Sequence, residues 1–234
     1  MLTKKLQIKT KAVFGIFMLF CLLVSAPVTM AKGVALKKIA LTFDDGPYGT
    51  PTTQILAILK KEKVHATFFV MGMNVEKYPD IARAIVKAGN LIGNHTYDHP
   101  KNLATDSLKA IDVELSKAEN AITVATGKRP LWFRAPYGRT SPKMIKEVKS
   151  QGYKLVSWTV DPQDWDYQKS TPEMIIKTVL AQAAPNAIIL MHDGRDIHVG
   201  YPRGNTVAAL PLVIDALKKE GYTFVTVDQL DRLP

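Results

Sequence analysis

Residues 38–47 read KIALTFDDGP. An apolar run ending in Phe43 stops abruptly at two adjacent carboxylates, Asp44 and Asp45, followed by a Gly-Pro turn. This is the signature of a buried strand with a polar end. Downstream the rhythm repeats: short β-branched and aromatic runs alternate with longer segments whose apolar residues recur at helical spacing. Strands are expected at 38–43, 67–71, 91–93, 131–134, 154–158, 187–191 and 223–225, and helices at 52–61, 79–88, 106–125, 142–150, 172–183 and 207–219. Ser141-Pro142 and Thr171-Pro172 place an N-cap residue before a proline suited to the first helical position, and Gly152 and Gly221 mark helix ends. Alternation of this kind implies a mainly parallel sheet. About seven units in one domain suggest an α/β barrel, complete or not, over an open doubly wound sheet. Barrel enzymes build their sites where the strands end.

The N-terminus reads as an export signal. Lys4, Lys5, Lys9 and Lys11 precede an apolar run at 12–24, and small residues follow. The thirteen residues of that run fall below the roughly 17 to 25 that a transmembrane helix needs. Cleavage after Ala31 is expected, leaving one domain at 32–234; an uncleaved membrane tether is the alternative. Cys21 lacks the small-residue context of a lipid-modified cysteine. Cleavage would remove that only cysteine and four lysines, changing the formal charge from +10 to +6, 27 cationic against 21 acidic residues. A secreted chain without disulfides must rely on its core, and 203 residues suffice to bury one. The positive balance suits an anionic neighbour such as a cell-wall polymer, or serves solubility. No basic tract with interleaved aromatics suggests nucleic acid as a partner.

Five polar clusters follow predicted strands. Asp44-Asp45-Gly46-Pro47 puts two anions side by side, which fits a metal with a neighbouring base or a solvated Asp-Gly turn. Asn94-His95-Thr96-Tyr97-Asp98-His99-Pro100 spaces two imidazoles so that one tight loop can bring them to a common point. Together with an aspartate they make a plausible divalent site with positions open for water and substrate. Arg134-Ala135-Pro136-Tyr137-Gly138 offers a cation able to hold a carboxylate ionised, or a surface arginine before a turn. Asp161-Pro162-Gln163-Asp164-Trp165 and Leu190-Met191-His192-Asp193-Gly194 allow a histidine to meet an orienting carboxylate, which would keep it protonated near neutral pH. His65 and His198 fit no motif and read as ordinary barrel or surface histidines.

In this order the five clusters resemble the polysaccharide deacetylases with a NodB-homology domain, carbohydrate esterase family four, over residues 36–228. The resemblance implies a distorted (β/α) barrel and a zinc ion, or Co2+ or another transition ion, bound by Asp45, His95 and His99. It further implies Asp44 as general base, Arg134 as its partner, and Asp164 orienting His192 as general acid. The Tyr137 N–H would help form an oxyanion hole, and Trp165 and Leu190 would bound the acetyl-methyl pocket. The implied activity is removal of acetyl groups from N-acetylglucosamine units of peptidoglycan or chitin oligomers by a secreted or wall-associated bacterial enzyme, acting as a monomer. Deacetylation of acetylxylan and non-catalytic glycan binding are the rival readings.

Overall fold

The structure is a computed structural model that describes residues 36–194 and 203–233. The expected export signal at 1–31, with Cys21, and His198 lie outside the described residues, as does the end of the expected domain at Pro234. Among the described residues, no helix is long and apolar enough to cross a membrane.

Seven strands form one parallel sheet: β1 (Lys37–Gly46), β2 (Thr67–Val70), β3 (Leu91–Asn94), β4 (Trp132–Phe133), β5 (Lys154–Leu155), β6 (Ala187–His192) and β7 (Tyr222–Phe224). Their order is β5-β4-β3-β2-β1-β6. Ile39 pairs with both Ala187 of β6 and Phe224 of β7, so β7 lies on the β2 edge of β1, before β2 begins its own pairing at Thr42. Among the described residues the curve closes through one isolated bridge, Val160 to Ile189. This gives the distorted barrel expected.

The strand expected at 154–158 ends early, and the reason is tertiary. The Ser157 carbonyl accepts from an arginine side chain, and the Thr159 and Val160 N–H groups both donate to Ile188 O on β6. The chain therefore leaves β4 and crosses to the opposite wall.

Helices α1 (Gly49–Glu62), α2 (Gly72–Lys77), α3 (Pro79–Lys87), α4 (Leu108–Thr126), α5 (Pro142–Ser150), α6 (Pro172–Gln182) and α7 (Gly204–Lys219) connect the strands. Ser141 and Thr171 cap α5 and α6 as expected, accepting from Met144 N and Met174 N. Helix α2 was not expected. Its six residues carry no helical repeat, and its first N–H groups, of Gly72 and Met73, donate to Thr96 and Tyr97 carbonyls in the loop after β3.

Alternation along the strands separates two regions of the core. Ile39, Leu41 and Phe43 of β1 pack with Phe68, Val70, Ile189 and Met191 in the large apolar cluster that includes residues of α1, α6 and α7. Ala40, Phe69, Trp132 and Ile188 form a separate cluster. Along β1 that second set of positions runs Ala40, Thr42, Asp44; along β6 it runs Ile188, Leu190, His192, in register with the first. Both strands thus change from apolar to polar towards their C-terminal ends. The barrel's base is sealed by hydrocarbon, and its mouth carries charge.

The Phe43 and Phe68 rings stack with centroids 5.1 Å apart, and both are fully buried. Phe68→Ala should lower stability by about 3 to 5 kcal/mol. Ser107→Ala, which removes the α4 cap accepting from Ala110 N, should cost only about 1 kcal/mol. Urea unfolding of both variants checks this ordering; equal midpoints would contradict the packing described here.

Candidate active site

Nearly every polar side chain singled out from the sequence converges on one cavity of about 380 Å3 at the C-terminal ends of the strands. Asp44 and Asp45 enter from β1, His95 and His99 from the loop after β3, and Tyr137 from the turn after β4. Asp161 and Trp165 enter from the segment before α6, and Leu190 and His192 from β6. Trp158 and Arg203 also line it.

Asp45 Oδ1 stands 3.5 Å from His95 Nε2 and 3.4 Å from His99 Nε2. One ligand atom from each of these three buried residues lies within 4.8 Å of the others. The His95 Nδ1–H donates to the Arg134 carbonyl at 2.7 Å, which fixes the tautomer and leaves Nε2 with its lone pair inward. Asp45 Oδ1 is buried and has no hydrogen-bond partner among the described residues. One carboxylate oxygen and two imidazole nitrogens, closely grouped and held from behind, fit a divalent transition ion with coordination positions to spare. Burial alone would raise the Asp45 carboxyl, but the imidazoles of His95, His99 and His192 overcome it and hold the group well below the ordinary carboxylate range. Burial would lower His95; the charges of Asp44 and Asp45 reverse this and raise it.

Asp44 points away from that group of ligands towards a fully buried guanidinium. Arg134 Nη1 donates to Asp44 Oδ1 at 2.8 Å and to Thr42 Oγ1 at 2.7 Å, and Nη2 to the Ser157 carbonyl at 3.0 Å. The guanidinium lies 4.2 Å from the centroid of the Phe69 ring. The other Asp44 oxygen, Oδ2, is 3.8 Å from His95 Nε2, so this carboxylate borders the metal ligands without joining them.

Across the cavity, Asp164 binds His192 twice. Oδ1 accepts from the ring Nδ1 at 2.7 Å and Oδ2 from the backbone N–H at 2.9 Å, while Thr206 Oγ1 donates to Oδ2 at 2.6 Å. Burial would lower the His192 pKa, but the Asp164 charge and hydrogen bond raise it above the ordinary imidazole value. Asp161 takes a supporting part: its Oδ1 accepts from Gln163 N at 2.8 Å and shapes the turn that delivers Asp164. Trp165 and Tyr137 are 45% and 39% exposed and form a rim, whereas Leu190 is buried at 3%.

The backbone under these side chains is unusual. Asp45, Thr96, His99, Tyr137 and Gln163 all have φ between 56° and 70°. Left-handed conformations at non-glycine residues cost roughly 1 to 3 kcal/mol each and persist only where surroundings enforce them. For the histidine loop those surroundings are visible. Glu114 Oε2 accepts from the N–H groups of Tyr97 and Asp98, and Asn94 Oδ1 accepts from Thr96 N.

Three further residues carry no role in the sequence reading. Arg203 is buried, donates through Nε to the Gly194 carbonyl at 2.5 Å and places Nη2 3.6 Å from Asp45 Oδ2. Because it opens α7, far from any polar strand end, no spacing signal marked it. Trp158 lies within a predicted strand whose early end turned it into the cavity. Asp193 packs behind Gly46 and takes a 2.6 Å hydrogen bond from Thr52 Oγ1. Burial, with the charges of Asp45 and Asp44, pushes its carboxyl up to about 7. His65 is exposed just before β2, as an ordinary surface histidine would be.

A family model described as Polysaccharide deacetylase matches residues 31–156. The peptidoglycan-N-acetylglucosamine deacetylase of Listeria monocytogenes is 38% identical over 194 residues, which cover 83% of this chain and 39% of that protein. The chain therefore spans well under half the length of that relative. The chitooligosaccharide deacetylase of Azorhizobium caulinodans is 37% identical over 193 residues, covering 79% of this chain and 90% of that protein. Among solved structures, a peptidoglycan N-acetylglucosamine deacetylase superposes with a TM-score of 0.77 at 36% identity, covering 84% of this chain and 88% of that one.

The geometry predicts one divalent ion per chain, bound more weakly as pH falls because protons compete for His95 and His99. His95→Ala should abolish binding. Gly194→Ala should weaken it without replacing a ligand side chain, since a Cβ there would collide with the Asp45 backbone carbonyl. Metal analysis after dialysis, with calorimetric titration at pH 5.5 and 7.5, checks all three; undiminished binding in His95→Ala would contradict the ligand set.

Proposed function

The chain belongs to the polysaccharide deacetylase family, and on that premise we propose that it hydrolyses the acetamide of N-acetylglucosamine units in a bacterial cell-wall glycan, releasing acetate. The observation that carries this reading is the division of labour between two buried carboxylates. Asp45 faces two imidazoles, and its neighbour Asp44 faces Arg134 instead. That arrangement separates a metal ligand from a proton acceptor one residue away.

Asp45, His95 and His99 would hold the ion, for which we propose zinc, with Co2+ also compatible with the donor set. Such an ion acts as a Lewis acid on the carbonyl oxygen and lowers the pKa of water. Asp44, which accepts a hydrogen bond from Arg134 at 2.8 Å, takes the proton from the attacking water. An acetamide resists attack because resonance stabilises its carbonyl, so negative charge developing on oxygen must be met. The Tyr137 N–H, on a residue held at φ 57°, is assigned that task; losing one such donor costs roughly 3 to 4 kcal/mol in the barrier. The leaving amine departs poorly unless protonated. His192, held by Asp164 in its charged form, supplies that proton. Leu190 and Trp165 are assigned to the walls around the acetyl methyl group.

The proposal includes export of the chain, directed by residues 1–31, and action on the wall as a monomer. The intact pairing of acid with its carboxylate and base with its cation favours turnover over passive glycan binding.

Two experiments test these roles. Asp44→Asn should retain the ion and lose roughly a hundredfold to ten-thousandfold in acetate release from wall fragments. His95→Ala should lose both ion and activity; near-normal acetate release by either variant would refute the assignment. In the pH profile of kcat/KM, activity should fall as pH rises through the His192 pKa, which Asp164 raises. Asp164→Asn removes the charge responsible, so its alkaline limb should move to lower pH. An unmoved limb would show that His192 is not the acid.

A further inference from the structure

A polymer that enters the 380 Å3 cavity must continue across its rim. What the rim presents decides which polymer fits. Tyr137 contacts His99 with ring centroids 4.5 Å apart, so its ring stands directly beside the metal ligands. The guanidinium of Arg139 lies 5.3 Å from the centroid of that same ring. Arg139 is exposed, and Nη1 makes its single hydrogen bond among the described residues, a long one of 3.4 Å to the Lys101 carbonyl. Lys101 follows His99 by two positions, is exposed, and its ammonium has no partner among the described residues. Between 137 and 150 stand Arg139, Lys143, Lys146 and Lys149 against one acid, Glu147. Lys143 is spent on backbone carbonyls of Thr105 and Asp106.

Two exposed cations thus stand on the loops after β3 and β4: Arg139 rests against the Tyr137 ring that lines the cavity, and Lys101 meets Arg139 through its backbone carbonyl. A guanidinium resting near an aromatic ring is partly pre-organised, and its remaining N–H groups match a carboxylate in fork geometry. In wall glycan the sugar next to N-acetylglucosamine is a muramic acid bearing a lactyl carboxylate or its peptide; in chitin the neighbour is uncharged. We propose that Arg139 and Lys101 form a carboxylate-binding subsite for the sugar adjoining the reacting N-acetylglucosamine, selecting anionic wall glycan over neutral chitin. The inference rests on the deacetylase reading for the identity of the reacting sugar.

Binding separates the two claims. In the Asp44→Asn background, calorimetry compares three ligands: a tetrasaccharide of alternating N-acetylglucosamine and N-acetylmuramic acid, the same compound with its carboxylates converted to methylamides, and chitotetraose. The acid form should bind about tenfold more tightly than either neutral ligand, and 0.5 M sodium chloride should erase the advantage. Adding Arg139→Gln and Lys101→Gln should bring all three ligands to parity, through loss of the acid form alone; Arg139→Lys with Lys101 intact should keep part of the preference. Equal binding of acid and methylamide by the parent, an unchanged preference in the double variant, or an equal loss on all three ligands would each overturn the subsite. Acetate release by the unsubstituted protein is followed separately on the same compounds. If it is absent from all of them while the acid preference stands, the deacetylase reading falls and the subsite remains.

Discussion

A guanidinium sealed inside the barrel sets the terms for everything around it. Arg134 is fully buried, and an unpaired charge there would cost several kcal/mol. Asp44, Thr42 and the Ser157 carbonyl meet donors on Nη1 and Nη2, Nε has no hydrogen-bond partner among the described residues, and Phe69 lies against the guanidinium. The dependence is mutual, because Asp44 would be an uncompensated buried anion without it. The same residue's carbonyl receives the His95 Nδ1–H and so fixes one imidazole from behind. The residue that follows the two-residue strand β4 therefore anchors both a carboxylate and an imidazole, and takes the Ser157 carbonyl away from the strand it would otherwise extend.

Strand periodicity explains how a hydrocarbon core and a charged cavity share one set of elements. Successive residues point to opposite faces, so one alternate set on β1 and β6 can stay apolar against the helices. The other set can change character with height. Ala40 and Ile188 lie opposite each other, then Thr42 and Leu190, then Asp44 and His192. Each step up the strands moves from packing towards chemistry. At and just past the strand ends, five residues hold left-handed backbone conformations without being glycine, three of them Asp45, His99 and Tyr137. Their cost is borne by the packed layers below and by loop anchors such as Glu114 and Asn94.

That regularity is also why much of the molecule was legible in the sequence. All seven strands and six helices follow from period and capping, and Ser141 and Thr171 make the hydrogen bonds their position before proline implied. The abrupt change from apolar to polar at Asp44, Asn94, Arg134 and His192 located the cavity. Helix α2 was illegible because its first turn is held by the histidine loop rather than by its own pattern. Arg203 was illegible for a related reason: it reaches Gly194 and Asp45 from the start of α7, a relation set by how the chain returns to the barrel and not by any local spacing. The early end of β5 needed knowledge of what Arg134 would take.

The distribution of cations among the buried carboxylates completes the logic of the cavity. Asp44 has Arg134, Asp164 has His192, and Asp45 faces two imidazoles on one oxygen and Arg203 on the other. Each acid thereby meets a different electrostatic environment, set by its neighbours and not by its own chemistry. Asp193 is the contrast. It is equally buried and near the same charges, yet among the described residues its carboxylate accepts from the neutral Thr52 hydroxyl and not from a cation, and its carboxyl is pushed up to about 7. Four aspartates thus occupy four electrostatic environments. Side-chain identity could not have told them apart; their placement relative to Arg134, Arg203, the imidazoles and Thr52 does.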